Sequence, residues 1–95
     1  MKATRSSGNV FRDIGFSEEE SANLEARSRL MIVLEKEIRK LKLTQAQVAK
    51  MLGVKPPRIS ELLNGRIEKF SLDLLVLYLS RLGKTVEFHV IKKAA

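Results

Sequence analysis

The segment from Thr44 to Gly65 leaves the chain little conformational choice. Thr44-Gln45-Ala46-Gln47 is a capping box: the threonine hydroxyl accepts from the amide three residues on, and the glutamine side chain reaches back. It opens a helix that runs to Leu52. Gly53 ends that helix, because a positive φ costs nothing only where there is no Cβ. Pro56-Pro57 open a second helix, in a first turn whose amides lack intrahelical partners anyway, and it stops at Gly65. Val48, Leu52, Val54, Ile59 and Leu62 point inward and fix the crossing angle, and Ala49 is small where the helices cross. Two short helices joined by a tight turn form a helix-turn-helix.

The flanks supply the scaffold. Ser17-Glu18-Glu19-Glu20 is another capping box, followed by a helical pattern to about Lys42. Leu30, Leu34, Ile38 and Leu41 share one face, and Glu35, Lys36, Arg39 and Lys40 the other. The run fits one long helix or two broken near Ala26 to Ser28. Ser71 caps a last helix, Leu72 to Leu82, with Leu72, Leu75, Leu79 and Leu82 inward and Tyr78 partly buried. Met31 and Met51 read as core filler. The expected fold is all-α, a four- to five-helix bundle with a C-terminal β-strand.

That strand is Thr85-Val86-Glu87-Phe88-His89-Val90, which alternates apolar and polar. A lone strand leaves its ladder groups unpaired. Pairing with the same strand of a second copy solves this and makes Val86, Phe88 and Val90 dimerisation residues; pairing with Asn9 to Phe11 is the alternative. Residues 1–16 read as an N-terminal arm, disordered over 1–9, residues 17–83 as the helical domain and 84–95 as strand and tail. Phe11, Ile14 and Phe16 are large apolar side chains that need burial on their own domain or on a partner protein.

The net charge is +7, and residues 31–95 hold all of the excess, with thirteen basic and six acidic side chains. A basic domain behind a neutral arm fits a polyanionic partner, although charge also serves solubility. With no cysteine there is neither a disulfide framework nor a thiolate metal site. No apolar run approaches a membrane span, so a soluble cytoplasmic protein is expected. His89 is the single histidine and lacks an acidic cluster, so no metal is expected. Glu18, Glu19 and Glu20 are explained by capping, Ser60 lacks a histidine for triad chemistry, and no glycine-rich loop cradles a phosphate. The inventory points away from an enzyme and from any cofactor. Few aromatics argue against RNA stacking.

A recognition helix presents its N-terminal end to base edges while the preceding helix crosses the backbone. The base-facing candidates are therefore Pro56, Pro57, Arg58 and Glu61. Arg58 fits a bidentate guanine contact or a phosphate; Glu61 fits a cytosine amine or an ion pair with Arg58. Thr44, Lys55, Ser60 and Arg66 are phosphate candidates, while Lys50, Arg66 and Lys69 equally fit a solvated surface. The partner so described is double-stranded DNA, bound by a homodimer.

The segment Leu43-Thr44-Gln45-Ala46-Gln47-Val48-Ala49, then Gly53-Val54, then Pro57-Arg58-Ile59-Ser60-Glu61-Leu62-Leu63-Asn64-Gly65 resembles the lambda-repressor/Cro-like, Xre-type helix-turn-helix family. The resemblance spans about residues 30–82 and implies a transcriptional repressor, bacterial or phage, with Gln45 and Asn64 on phosphates. Lys55 stands where that family often has a serine or threonine cap, and Pro56 where a base-reading glutamine is common, which shifts weight to Arg58. Gly8 to Phe16 and Gly83 to Phe88 also resemble a subgroup of HigA-like antitoxins, which implies a RelE/HigB-like toxin partner and repression of its own operon. A stand-alone repressor, or an interaction module with a helix-turn-helix that no longer binds DNA, are the alternatives.

Overall fold

The computed structural model describes residues 14–93. Four α-helices follow in order: α1 Glu18–Leu41, α2 Gln45–Leu52, α3 Pro56–Leu63 and α4 Leu72–Arg81, with a 3₁₀ turn at Ile67–Lys69 between α3 and α4. The expected boundaries at Ser17, Thr44, Gly53 and Ser71 are those observed. The N-terminal arm over 1–9, and Phe11 with it, lie outside the described residues.

α1 is continuous through Ala26 to Ser28, so of the two readings the single helix holds. No glycine or proline interrupts Glu18–Leu41, and Glu25–Arg29 and Glu35–Arg39 pair one turn apart at 2.9 Å. At its start the Ser17 amide donates to the Glu20 carboxylate and the Glu20 amide to the Ser17 hydroxyl, both at 3.1 Å. The bond from the Ser17 backbone, and then that from its side chain, hold the Glu20 carboxyl below the usual range.

α1 packs chiefly on α4, and α2 on α3. Leu34, Leu52, Ile59, Leu62, Leu75 and Leu79 fill the centre, with Met31, Ile38, Val48, Ala49, Phe70 and Tyr78 around them. The inward set expected for the two short helices is thus buried, with Val54 packed at its edge. Two expectations fail. Met51 is 43% exposed and Leu41 is 37% exposed. Met51 lies roughly 100° round α2 from the middle of the face that Val48, Ala49 and Leu52 bury, and Leu41 is the final residue of α1, where the chain turns away. Tyr78 is buried more deeply than expected and meets Phe70 edge-on, with ring centroids 6.3 Å apart.

The tight turn is held from outside itself. Gly53 adopts φ 72°, its amide reaches back to the last turn of α2, and the Arg81 guanidinium at the end of α4 donates to the Leu52 carbonyl. A Cβ at Gly53 would lie 3.1 Å from Arg81 Nη1. Residues 84–93 hold no helix, turn or bend, and no strand forms among the described residues. The Lys84 amide donates to the Leu79 carbonyl at 2.9 Å, and Val86 packs on the core.

Gly53→Ala is expected to cost about 1–2 kcal/mol, because the left-handed backbone strain is added to the contact with Arg81. Combined with Arg81→Ala the contact is gone but the strain stays. Thermal denaturation should therefore find the double variant about 1 kcal/mol less stable than Arg81→Ala alone.

Candidate nucleic-acid interface

From Lys42 to Leu63 the chain carries four basic residues and a single acid, Glu61. The ordering of these charges depends on which are already paired. Lys42, Lys50 and Lys55 are exposed, and their side chains carry no ion pair or hydrogen bond among the described residues. Away from the helix pair the cations are largely committed: Arg29 to Glu25, Arg39 to Glu35, Lys40 and Lys84 to Glu37, Lys93 to Glu18. Lys36 on α1 and Lys92 are also exposed and unpaired, so three of the five lysines without an ion pair among the described residues, Lys42, Lys50 and Lys55, lie in or beside the helix pair. Lys42 did not emerge from the sequence reading, and Lys50 emerged only as possible solvated surface.

Pro56 and Pro57 occupy the first two positions of α3 and are exposed. Lys55 precedes them as N-cap without a side-chain cap bond, so its ammonium is free to move. Gln45, the first residue of α2, is exposed. Thr44 is engaged in its own cap: its hydroxyl accepts from the Gln47 amide at 3.1 Å, and its amide donates to Gln47 Oε1 at 2.9 Å. Asn64 closes α3 and lies against Ser60, with 3.5 Å between Nδ2 and Oγ. Arg66 pairs with Glu68 at 2.8 Å. The backbone amide of Glu68 itself and then Arg66 hold the Glu68 carboxyl below the usual range.

Arg58 is the residue whose setting the sequence hides. Its guanidinium lies over the Phe70 ring at 4.5 Å from the centroid. Nη2 donates to the Lys69 carbonyl at 2.9 Å, and Nη1 stands 3.5 Å from Glu61. Glu61 is shared with Lys69 Nζ at 3.2 Å. Of the two sequence readings of Glu61, the pair with Arg58 is thus formed in the free chain. Arg58 ties α3 to the loop that leads into α4, and Arg27 ties the same loop to α1 through the carbonyls of Ile67 and Phe70 at 3.2 and 3.3 Å. Glu61, between two cations, presents little net negative charge.

Sequence reasoning missed Phe70, Arg27 and Arg81. Phe70 sits among Glu68, Lys69 and Ser71 with no apolar periodicity to flag it, and both arginines act on backbone carbonyls, which no residue pattern marks.

The fold, the turn and the cation pattern are those of a helix-turn-helix module. The description "Helix-turn-helix domain" matches residues 10–91. A solved chain described as an XRE family transcriptional regulator is 34% identical, superposes with a TM-score of 0.69, and aligns over 75% of this chain and 80% of that one. The chain belongs to the Xre-type helix-turn-helix family. No curated protein matches it. Within this Xre-type chain no group of histidine, cysteine and acidic side chains among the described residues is placed to hold a metal ion. No helix of the described residues is long and apolar enough to cross a membrane.

Because Arg58 serves three partners at once, Arg58→Ala should lower stability by about 1–2 kcal/mol, the sum expected of a half-exposed charged hydrogen bond and a cation–π contact. Arg58→Lys should recover less than half of that loss in chemical denaturation, since an ammonium lacks the planar fork that stacks and donates together.

Proposed function

We propose that this Xre-type chain is a sequence-specific DNA-binding repressor that acts as a homodimer and performs no catalysis. The observation that carries the reading is the exposed N-terminal end of α3 flanked by three unpaired lysines, Lys42, Lys50 and Lys55, on a chain of this family. α3 enters the major groove by its Pro56-Pro57 end, and α2 crosses the backbone. The proline methylenes meet thymine methyls or sugar. Arg58 and Glu61 reach base edges only by opening their mutual pair, so their readout is exchanged against an existing contact. Gln45, Lys55, Ser60 and Asn64 take phosphates, with Thr44 and Arg66 joining where the cap and the Glu68 pair yield. Two copies place their α3 helices about 34 Å apart on a near-palindromic site.

The finer reading is that the chain is the antitoxin of a toxin–antitoxin pair, represses its own operon and neutralises a RelE/HigB-like toxin. It is supported by the resemblance of the segments around Phe11 and Val86 to HigA-like antitoxins, and by Ile14 and Phe16, which are 68% and 42% exposed at the entrance to α1. Co-expression with the product of the adjacent gene should yield a tight complex that Ile14→Asp weakens. A chain that elutes alone would make it a stand-alone repressor.

The DNA reading is tested by fluorescence anisotropy against the region upstream of its own gene, beside a scrambled duplex, over a salt series. Preferential binding with a steep log K against log salt slope is expected, and Lys55→Ala should flatten that slope by about 0.9 per bound protomer. Equal binding to both duplexes at every salt concentration would leave the module a scaffold for another protein.

A further inference from the structure

Residues beyond Lys84 carry an apolar series that the chain does not cover. Val86 packs on the core, while Phe88, Val90 and Ile91 are 66%, 98% and 83% exposed. The backbone there has no helix, turn or bend. In extended chain Val86, Phe88 and Val90 share one side and Glu87, His89 and Ile91 the other. Val86 fixes which side faces inward. Beside it lies an open cleft of about 260 Å³ lined by Leu30, Val33, Leu79 and Val86.

We infer that the occupant of this surface is the same segment of a second copy, paired antiparallel in one register, with Phe88 on the two-fold axis. The inference rests on the dimeric reading above and specifies its interface. Residues opposite one another in an antiparallel pair lie on the same side of the ribbon, and a two-fold normal to the ribbon preserves sides. The axis must therefore pass through a residue and not between two. The centres available are Glu87, Phe88 and His89. Centring on Glu87 sets that carboxylate against its own copy. Centring on His89 sets Val86 against Lys92 and Glu87 against Ile91. Centring on Phe88 stacks the two Phe88 rings, sets Val86 against the partner's Val90 and faces Glu87 with the partner's His89, each twice by symmetry.

The same register brings the partner's Val90 beside Val86, at the mouth of the cleft lined by Leu30, Val33 and Leu79, so the most exposed apolar side chain of the segment gains cover. Lys84 falls opposite Lys92, but Lys84 is already drawn to Glu37 on α1 at 3.5 Å, which ends the ribbon at Thr85.

The chain has no cysteine, so a single introduced thiol reports the register directly. Glu87→Cys, Phe88→Cys and His89→Cys, each in the full chain, are oxidised mildly and followed by non-reducing electrophoresis. Phe88→Cys should form a covalent dimer at least about tenfold faster than the other two, because only the axial residue meets its own copy at disulfide distance. A second test removes no apolar side chain. Glu87→Lys and His89→Glu should each weaken the dimer about three- to tenfold in sedimentation equilibrium, and the double variant should restore it. Fastest cross-linking at 87 or 89, or no rescue, overturns the register and leaves the dimer. A dimer that cross-links at none of the three overturns the ribbon, and a monomeric chain overturns the dimeric reading itself.

Discussion

Burial of one aromatic ring organises the side of the domain that carries α3. Phe70 is 1% exposed, yet each of its surfaces serves a different element. One face receives the Arg58 guanidinium from α3, Tyr78 of α4 meets the ring edge-on, and the Phe70 carbonyl accepts from Arg27 of α1. A ring wholly enclosed by aliphatic side chains would contribute as much hydrophobic burial, but α3 would then lack the contact that Arg58 makes beyond Ile59, Leu62 and Leu63 and the polar bonds to Lys69. The electrostatic attraction between a guanidinium and an aromatic face adds a directional tie. The orientation of α3 is thereby coupled to the position of α4.

The charge pattern follows from the same economy of contacts. α1 pairs Arg29, Arg39 and Lys40 with acids one turn away, and its acids offset its basic residues, which leaves the long helix as a stiff, nearly neutral strut. The helix pair carries no acid except Glu61, and that one is held between Arg58 and Lys69. The positive potential around α2 and α3 therefore arises less from added lysines than from the absence of nearby carboxylates. Such a field favours encounter with a polyanion and weakens with salt.

Helix limits were legible because caps are local. Ser17, Thr44 and Ser71 announce starts, and Gly53 announces a stop, each within a span of a few residues. The inward positions of α2 and α3 were legible from period alone. Exposure of Met51 was not, since an eight-residue helix offers too few turns to define which side an isolated apolar residue takes. The setting of Arg58 was hidden for a different reason: its partners Lys69 and Phe70 lie more than ten residues away, and one of them acts through a carbonyl. The alternation at Thr85 to Val90 suggests a strand that does not form among the described residues, because alternation tells which sides are apolar and not where a ladder partner lies.

The two prolines that open α3 have an effect on what this helix is able to hold. Proline has no amide hydrogen, so the first turn of α3 offers fewer backbone donors than a helix start ordinarily does, and an anion cannot be cradled there. The first turn of α2, with Gln45 and Ala46, keeps its amides. Of the two helix starts, that of α2 is therefore the one with backbone donors to offer an anion. The proline rings also lock φ, so the tip of α3 has little conformational entropy left to lose in any contact.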